Sequence, residues 1–537
     1  MTTSPALREL WNAGQMMAFS GLDGPTSYAD GLVARSTAQP PGLEIRDPAL
    51  CRVVFDAAPS GEIVFGGDYF SVETALGTVR GAFLDAHHLL LEGPCSVTDI
   101  DATLCTLARK GHLLIGVAAK VRPTLLEADL DDAITSRGAW LTERARNLPE
   151  GVDPARRRTL IRALTMMKSQ VYGPEGKLTT RWTTPDRWPH KDMWLWDSGF
   201  HAIGWRHLDV AFARELLGAM FEAQGADGFI PHRVSPTGAM SDITQPPILA
   251  FAAQQVLATA PDLDWLRAVY PKLAAYLRWD LAHRDTDGGG LLEWYIEEHI
   301  HCRSGESGMD NSPRFDEATQ LDAVDFNAFA ALECDVLAEF AETLGLTEDG
   351  ANWRREHTRL CALINERLWD EEAQFYCDYD PATGQRTPVL SSAGFLPLIC
   401  GAASPAQAAA LARHLADPTM FATAVPLPSI AARDTPHYSK DMWRGPVWIN
   451  INWFIARGLR RYGLEIEARA LETASIAEIE RQCEKYGTFF EYYDDRAELD
   501  PPQLERKGPC DSSMPYHQVM HDFGWTATLY VDWVLRK

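Results

Sequence analysis

Glu306-Ser307-Gly308-Met309-Asp310-Asn311-Ser312-Pro313-Arg314 is a polar loop with a glycine and a proline, running into an amphipathic helical pattern predicted to start at Glu317. Three other segments share this design. Trp194-Leu195-Trp196-Asp197-Ser198-Gly199-Phe200-His201 opens a helix, Gln245-Pro246-Pro247 precedes one at Ile248, and Trp443-Arg444-Gly445-Pro446-Val447-Trp448 opens another. Proline suits a first helical turn, where a backbone N–H has no partner to lose. If same-sense helices stand in a ring, the loops before them meet at one mouth, so four distant segments become one candidate site.

Outward from these loops, the chain from about 155 onward alternates amphipathic helices with connections. Helices are predicted over 211–224, 248–260, 263–282, 317–344, 350–368, 405–416, 447–462 and 466–484, with a strand signal near 375–388. At about thirty residues per helix and loop, this part holds about a dozen helices. A closed double ring fits that count, and no repeat of fixed period supports a solenoid. Earlier, between about 51 and 118, short runs such as Val53-Val54-Phe55, Ile63-Val64-Phe65 and Leu114-Ile115-Gly116-Val117 are separated by Gly, Pro and Asp, which predicts a small antiparallel β domain. A helix over 129–147 joins the two. The expected division is a β-rich domain over 1–125, a helical linker over 126–155 and a helical domain over 156–537, a mainly α chain.

Composition narrows the function. With 46 % hydrophobic and 23 % charged residues, the 537-residue chain can fill a sizeable core. A net charge of −24 argues against nucleic acid and anionic membrane as partners. No apolar run is long enough to span a bilayer, and MTTSPALREL lacks the basic-then-apolar pattern of a signal peptide. The ten cysteines occur without CxxC pairing and read as reduced thiols of a cytoplasmic protein. Seventeen tryptophans suit either a helical core or stacking against sugar rings.

Hydrolysing a glycoside without a metal or cofactor takes two carboxyl groups, one giving a proton to the leaving oxygen and one activating water. Asp310 is placed to project from its loop. Glu491 lies in Phe489-Phe490-Glu491-Tyr492-Tyr493, where aromatic neighbours desolvate it. Among 74 acidic residues, spacing alone selects neither, and a cap or salt-bridge role is the plainer reading of each.

Here resemblance adds weight. Glu306–Arg314 resembles the ESGxDxSxR signature of trehalase-type and glycoside hydrolase family 63 enzymes. In the same order along the chain, Trp196-Asp197, Gly228-Phe229-Ile230-Pro231 with Gln245-Pro246-Pro247, Trp443–Trp448, Glu491-Tyr492-Tyr493 and Phe523-Gly524-Trp525-Thr526 resemble other motifs of that clan. Together they cover about 190–530. The resemblance implies an (α/α)6 barrel preceded by a β-sandwich, and inversion at the anomeric carbon of an α-linked glucose or mannose. It also implies Asp310 as general acid and Glu491 as general base. Met309 and Asn311 around the acid are similar to the mannosylglycerate and glucosylglycerate hydrolase group. His232 and Ile243-Thr244 depart from the trehalase pattern, which points away from trehalose.

On this reading Trp194, Trp196, Trp448 and Trp525 stack on sugar, while Asp197 and Gln245 bond glycone hydroxyls. Arg303, Glu306, Gly308, Arg444 and Tyr438 complete the expected binding set, with an arginine fork for a carboxylate aglycone such as glycerate. Arg314 is expected to lock Asp310 or Glu306. His437, His517 and His521 lie near the motifs, where structural roles prevail. The expected partner is a small carbohydrate, with neither cofactor nor catalytic metal. Asp285-Thr286-Asp287-Gly288-Gly289-Gly290 has calcium-loop acids at alternate positions, but Ile296 stands where an EF-hand needs its bidentate acid, so a glycine-rich turn is favoured. Rival readings are a sugar epimerase or isomerase, a glycoside phosphorylase, or a carbohydrate-binding protein without activity.

Overall fold

The structure is a computed structural model that describes residues 10–299, 301–511 and 514–536. Residues 1–9 of the expected first domain therefore lie outside it. The first part is built from β1 (Met16–Ala18), β2 (Val33–Ala38), β3 (Pro41–Asp47), β4 (Cys51–Phe55), β5 (Pro59–Phe65) and β6 (Tyr69–Thr74). They are followed by β7 (Gly77–Asp85), β8 (His88–Glu92), β9 (Cys95–Ile100), β10 (Leu104–Arg109) and β11 (His112–Val117). One antiparallel sheet has the order β1-β2-β3-β4-β9 and the other β10-β11-β8-β7-β6-β5. Alternate side chains of both sheets, among them Leu43, Ile45 and Val53 against Phe70, Phe83 and Leu91, share one core. Trp11 fills its end, with ring centres 5.1 Å from Phe55 and 5.3 Å from Phe70.

The helices are α1 (Leu130–Arg146), α2 (Pro154–Ser169), α3 (Leu195–Trp205), α4 (Val210–Glu222), α5 (Leu249–Thr259) and α6 (Leu263–His283). Then come α7 (Val324–Thr343), α8 (Thr347–Leu363), α9 (Pro397–Cys400), α10 (Pro405–Ala416), α11 (Ile449–Arg461), α12 (Glu465–Tyr486) and α13 (Gly524–Leu535). Local signals explain their ends. Asp129 caps α1 by accepting from the N–H groups of Asp131 and Asp132, and Arg144 and Arg146 face its negative end. Asp153 caps α2 with Pro154 in the first turn.

From α3 onward the odd-numbered helices are the more buried; all eleven residues of α3 are buried, whereas α12 buries only a stripe. The odd helices touch in succession from α3 through α5, α7, α9 and α11 to α13, and α13 returns to pack against α3. Helices α4, α6, α8, α10 and α12 lie between them in sequence, and α2, which precedes α3, packs on α13. Helix α1 lies on the second sheet, where Leu130 and Leu126 meet Leu90 and Leu114. The two parts are joined by buried ion pairs. Asp522 binds Arg162 and the Met16 N–H, and Lys168 Nζ lies 2.7 Å from Asp68 and 2.8 Å from Asp23.

Two expectations are corrected. Strands begin at Met16, well before 51; β2 (VARSTA) and β3 (PGLEIRD) lack the run of β-branched or aromatic residues that would have announced them. The helix expected from Glu317 starts at Val324, because Asp322 is held in extended backbone by exchange of N–H···O bonds with Tyr379. Among the described residues, no helix is long and apolar enough to cross a membrane.

Candidate active site

The loops that lead into α3, α5, α7, α11 and α13 meet around one cavity of about 210 Å³. Asp310, Glu491, Trp194, Trp196, Asp197, Gln245, Gly308, Trp448 and Trp525 all line it. The walls are aromatic. Trp443 and Trp448 stack with ring centres 3.8 Å apart, and Trp196 meets the edge of Trp525 at 5.2 Å. Gly308 is obligatory: its φ is +68°, and a Cβ there would lie 2.5 Å from Trp196 Cζ2. Gln245 Oε1 accepts from the Trp196 N–H at 3.1 Å, fixing that ring's backbone.

The two carboxylates of interest have different surroundings. Glu491 is buried and accepts a bidentate bond from Arg506, with Nε 2.7 Å from Oε2 and Nη2 3.1 Å from Oε1. Burial pulls the Arg506 guanidinium down, but the Glu491 charge and bonds more than offset this and hold it protonated above its ordinary range. Asp310 is part-exposed, with Lys507 Nζ 3.2 Å from Oδ2, and its carbonyl accepts from the N–H groups of Arg303 and Ser304. Asp197 is buried, and its Oδ1 has no partner among the described residues. Burial, then the nearby Asp186 and Glu491 charges, push its carboxyl well above the usual range. The indole N–H groups of Trp194 and Trp525 also lack partners among the described residues. Unsatisfied polar atoms around one cavity are what a hydroxyl-rich ligand would satisfy.

Four expected binding residues are elsewhere. Arg303 donates to the carbonyls of Glu297, Phe315 and Ala318. Glu306 is fully buried, bonded by Arg284 and the N–H groups of Thr244 and Tyr295, and so ties three loops together. Arg444 pairs with Asp316, and Tyr438 donates to Asp495. Arg314 locks Asp325 and Asp378 instead of Asp310 or Glu306. Of the flagged histidines, His437 binds Asp434, while burial pulls His521 down to about 3. His437, His517 and His521 do not line the cavity.

Other residues in the cavity were not in the expected binding set: His232, noted only as a departure from the trehalase pattern, and His190, Cys302, Glu297, Arg506 and Lys507, which escaped the sequence reading. His190 is held by Asp186 at 2.6 Å, and burial, with Arg233 nearby, pulls His232 down to about 4, leaving it neutral. Lys507 has φ +53°, and Asp441 holds this turn by accepting from the N–H groups of Lys507 and Gly508, each at 2.9 Å. A non-glycine residue fixed in this region carries backbone strain. The one signal in sequence was a basic pair, Arg506-Lys507, in an acidic chain.

The glycine-rich turn differs in detail from the calcium reading. Asp285 accepts from the Gly290 N–H, while ligand oxygens of Asp287, Glu293 and Asp322 lie within 4.8 Å of one another. This all-oxygen set fits a hard divalent cation. Asp322 is fully buried with neither oxygen hydrogen-bonded among the described residues, Arg367 Nη1 lies 3.7 Å from its Oδ2, and burial, then Asp287 and Glu293, push it up to about 7. An acid whose folded pKa exceeds its unfolded value costs stability above the latter. In chelator, Asp322→Asn is therefore expected to raise stability by about 1–3 kcal/mol at pH 8. That gain should shrink as pH falls through 7 and vanish near 4. Urea melts at the two pH values check this, and a gain independent of pH would refute it.

Comparison with known proteins now bears on this cavity. The family model for the mannosylglycerate hydrolase MGH1-like glycoside hydrolase domain matches residues 189–526. The chain belongs to this family. It is a glycoside hydrolase. Mannosylglycerate hydrolase MGH1 of Selaginella moellendorffii is 28 % identical over 454 residues, covering 69 % of this chain and 87 % of that one. Glucosylglycerate hydrolase of Mycolicibacterium hassiacum is 25 % identical over 469 residues, covering 67 % and 94 %. The crystal structure of the family 63 mannosylglycerate hydrolase from Thermus thermophilus with Tris and D-glycerate superposes with a TM-score of 0.58. It is 28 % identical, and the match covers 70 % of this chain and 99 % of that one.

Proposed function

We propose that this glycoside hydrolase releases a terminal α-linked glucose or mannose, with inversion, from a small substrate such as glucosylglycerate, mannosylglycerate or an α-glucosyl disaccharide. The carrying observation is that Asp310 and Glu491 line one tryptophan-walled cavity with opposite degrees of exposure. Asp310, reached by solvent, is the general acid to the leaving oxygen. Glu491, held through both oxygens by its Arg506 fork, is the base that deprotonates water. An inverting pair stands roughly 6.5–9.5 Å apart to admit that water. Asp197 and the indole N–H groups of Trp194 and Trp525 bond glycone hydroxyls. The successive contacts of α3, α5, α7, α9, α11 and α13 support reading the helical part as an (α/α)6 barrel. We divide the chain into a β domain over 1–125, a linker over 126–155 and a barrel over 156–537, and place it in the cytoplasm.

The names of the relatives support a glycerate aglycone, and Lys507 is the cation suited to its carboxylate. Lys507→Met is expected to lower kcat/KM about 10–100-fold on glucosylglycerate but less than about threefold on neutral glucosylglycerol. Equal losses would mean that Lys507 serves Asp310 alone. The whole reading is tested by following hydrolysis of an α-glucoside by proton NMR. β-Glucose must appear first and then mutarotate. Initial α-glucose, or isomerised sugar without hydrolysis, would overturn it.

A further inference from the structure

At the other end of the helical ring lies a second pocket, of about 550 Å³, unrelated to the catalytic carboxylates. Its lining comes from Phe251 and Gln254 of α5, from the later turns of α7 and α11, from Ile399 of α9 and from Arg536 just beyond α13. Arg457 is about 14 Å further along the helix direction than Trp448 of the cleft. The pocket contains an unusual concentration of cations: Arg457, Arg460, Arg461 and Arg536 against Asp335 and Glu339.

Tracing each cation leaves one without a partner. Arg460 and Arg536 both bind Glu472. Arg461 binds Asp335 at 3.1 Å, a carboxylate also bound by Arg354. Glu339 accepts from Gln254. Asp532, the carboxylate that acts most on Arg457, is already occupied by Arg206 at 2.7 Å, His207 at 2.8 Å and the Trp453 indole N–H at 3.0 Å. Among the described residues the Arg457 guanidinium makes no hydrogen bond or ion pair. It rests only on rings, 5.2 Å from the Phe251 centre and 4.9 Å from that of Trp453. Desolvation, with Arg536, Arg206 and Arg460 nearby, pulls it down to about 10, so its charge is held at a cost. Asp335, Glu472 and Asp532 are each taken by other cations, Glu339 bonds only Gln254 among the described residues, and a planar five-donor fork matches an oxyanion better than a spherical halide.

We propose that this pocket binds a small phosphate-type oxyanion, free or as the ester of a small metabolite, with Arg457 as its principal ligand. Phosphate neutralises the one unpaired guanidinium and accepts its fork in two bonds. The pocket volume leaves room for an organic group on the fourth oxygen. Neither the cleft nor Glu491 takes part, so the site is independent of the hydrolytic reading.

The test is the melting temperature of the whole protein titrated with inorganic phosphate at fixed pH, chloride keeping ionic strength constant. Wild type is expected to rise by about 1–3 °C, and Arg457→Met, with unchanged hydrolytic activity as proof of folding, to stay flat. A hexose phosphate run in parallel separates the sources: a larger rise than with phosphate means the ester, an equal one the free ion. Should Arg457→Met not fold, calorimetric titration of Arg457→Lys decides, with phosphate affinity expected to fall about tenfold because the fork is lost. No rise in wild type, an equal rise in Arg457→Met, or unchanged affinity in Arg457→Lys overturns the proposal.

Discussion

Asp310→Asn should lower kcat/KM on an unactivated α-glucoside by roughly 10²–10⁴, the usual contribution of a positioned general acid. The amide keeps the shape of the side chain but cannot deliver a proton. The loop should survive, because Ser304 and Arg303 hold the Asp310 carbonyl and the side chain's one ion pair, with Lys507, is part-exposed. Loss of such a pair costs about 0–1 kcal/mol. The decisive comparison is with α-glucosyl fluoride, whose leaving group needs no proton. That substrate should lose far less than the glucoside. Equal losses on both would remove Asp310 from the acid role, and a wild-type rate on the glucoside would remove it from catalysis.

Arg506→Met carries the second large effect, on stability and rate together. Arg506 and Glu491 side chains are only 3 % and 5 % exposed, so deleting the cation strands a buried carboxylate. Breaking a buried pair from one side costs about 3–5 kcal/mol. The Tyr516 carbonyl loses its Nη1 donor at 2.9 Å as well. Because Glu491 then loses the partner that orients both its oxygens, kcat should fall at least tenfold, even at temperatures where the variant is fully folded. The double variant Arg506→Met, Glu491→Gln separates the two consequences. It should recover much of the stability, since no charge remains buried, and none of the activity. If the single variant unfolds in urea at the wild-type midpoint, the pair is not a buried clamp.

What could be read from sequence divides along physical lines. Amphipathic periodicity located α5, α6, α10, α11 and α12 to within a few residues, because each buries one stripe or a whole face. Ring helix α9, four residues long, is too short to show a period. In the site, Asp310, Gly308, Asp197, Gln245, Glu491 and the tryptophans line the cavity, as their loop positions led one to expect. The arginines do not follow their loops, since their heads travel several ångströms from the backbone. Arg303 and Arg444 sit on motif loops, yet their guanidinium groups turn to carbonyls and to Asp316. Arg506 and Lys507 show the reverse. They belong to none of the motifs and reach the cavity through a turn whose conformation depends on Asp441, 66 positions earlier. Such tertiary dependence leaves no local trace.

The return of α13 onto α3 has a consequence in time. Trp196 and Trp525 form one corner of the cavity, yet 328 intervening residues must be made and packed before they can meet. Glu491 joins that corner late too, because its strand-like segment is pinned by Met520 and Thr526. During synthesis, therefore, the β-sandwich and the early helices can assemble while no sugar-binding surface exists anywhere on the nascent chain. Activity arises in a single late event, the seating of α13, and a ribosome stalled short of Trp525 would hold a well-structured but inert polypeptide.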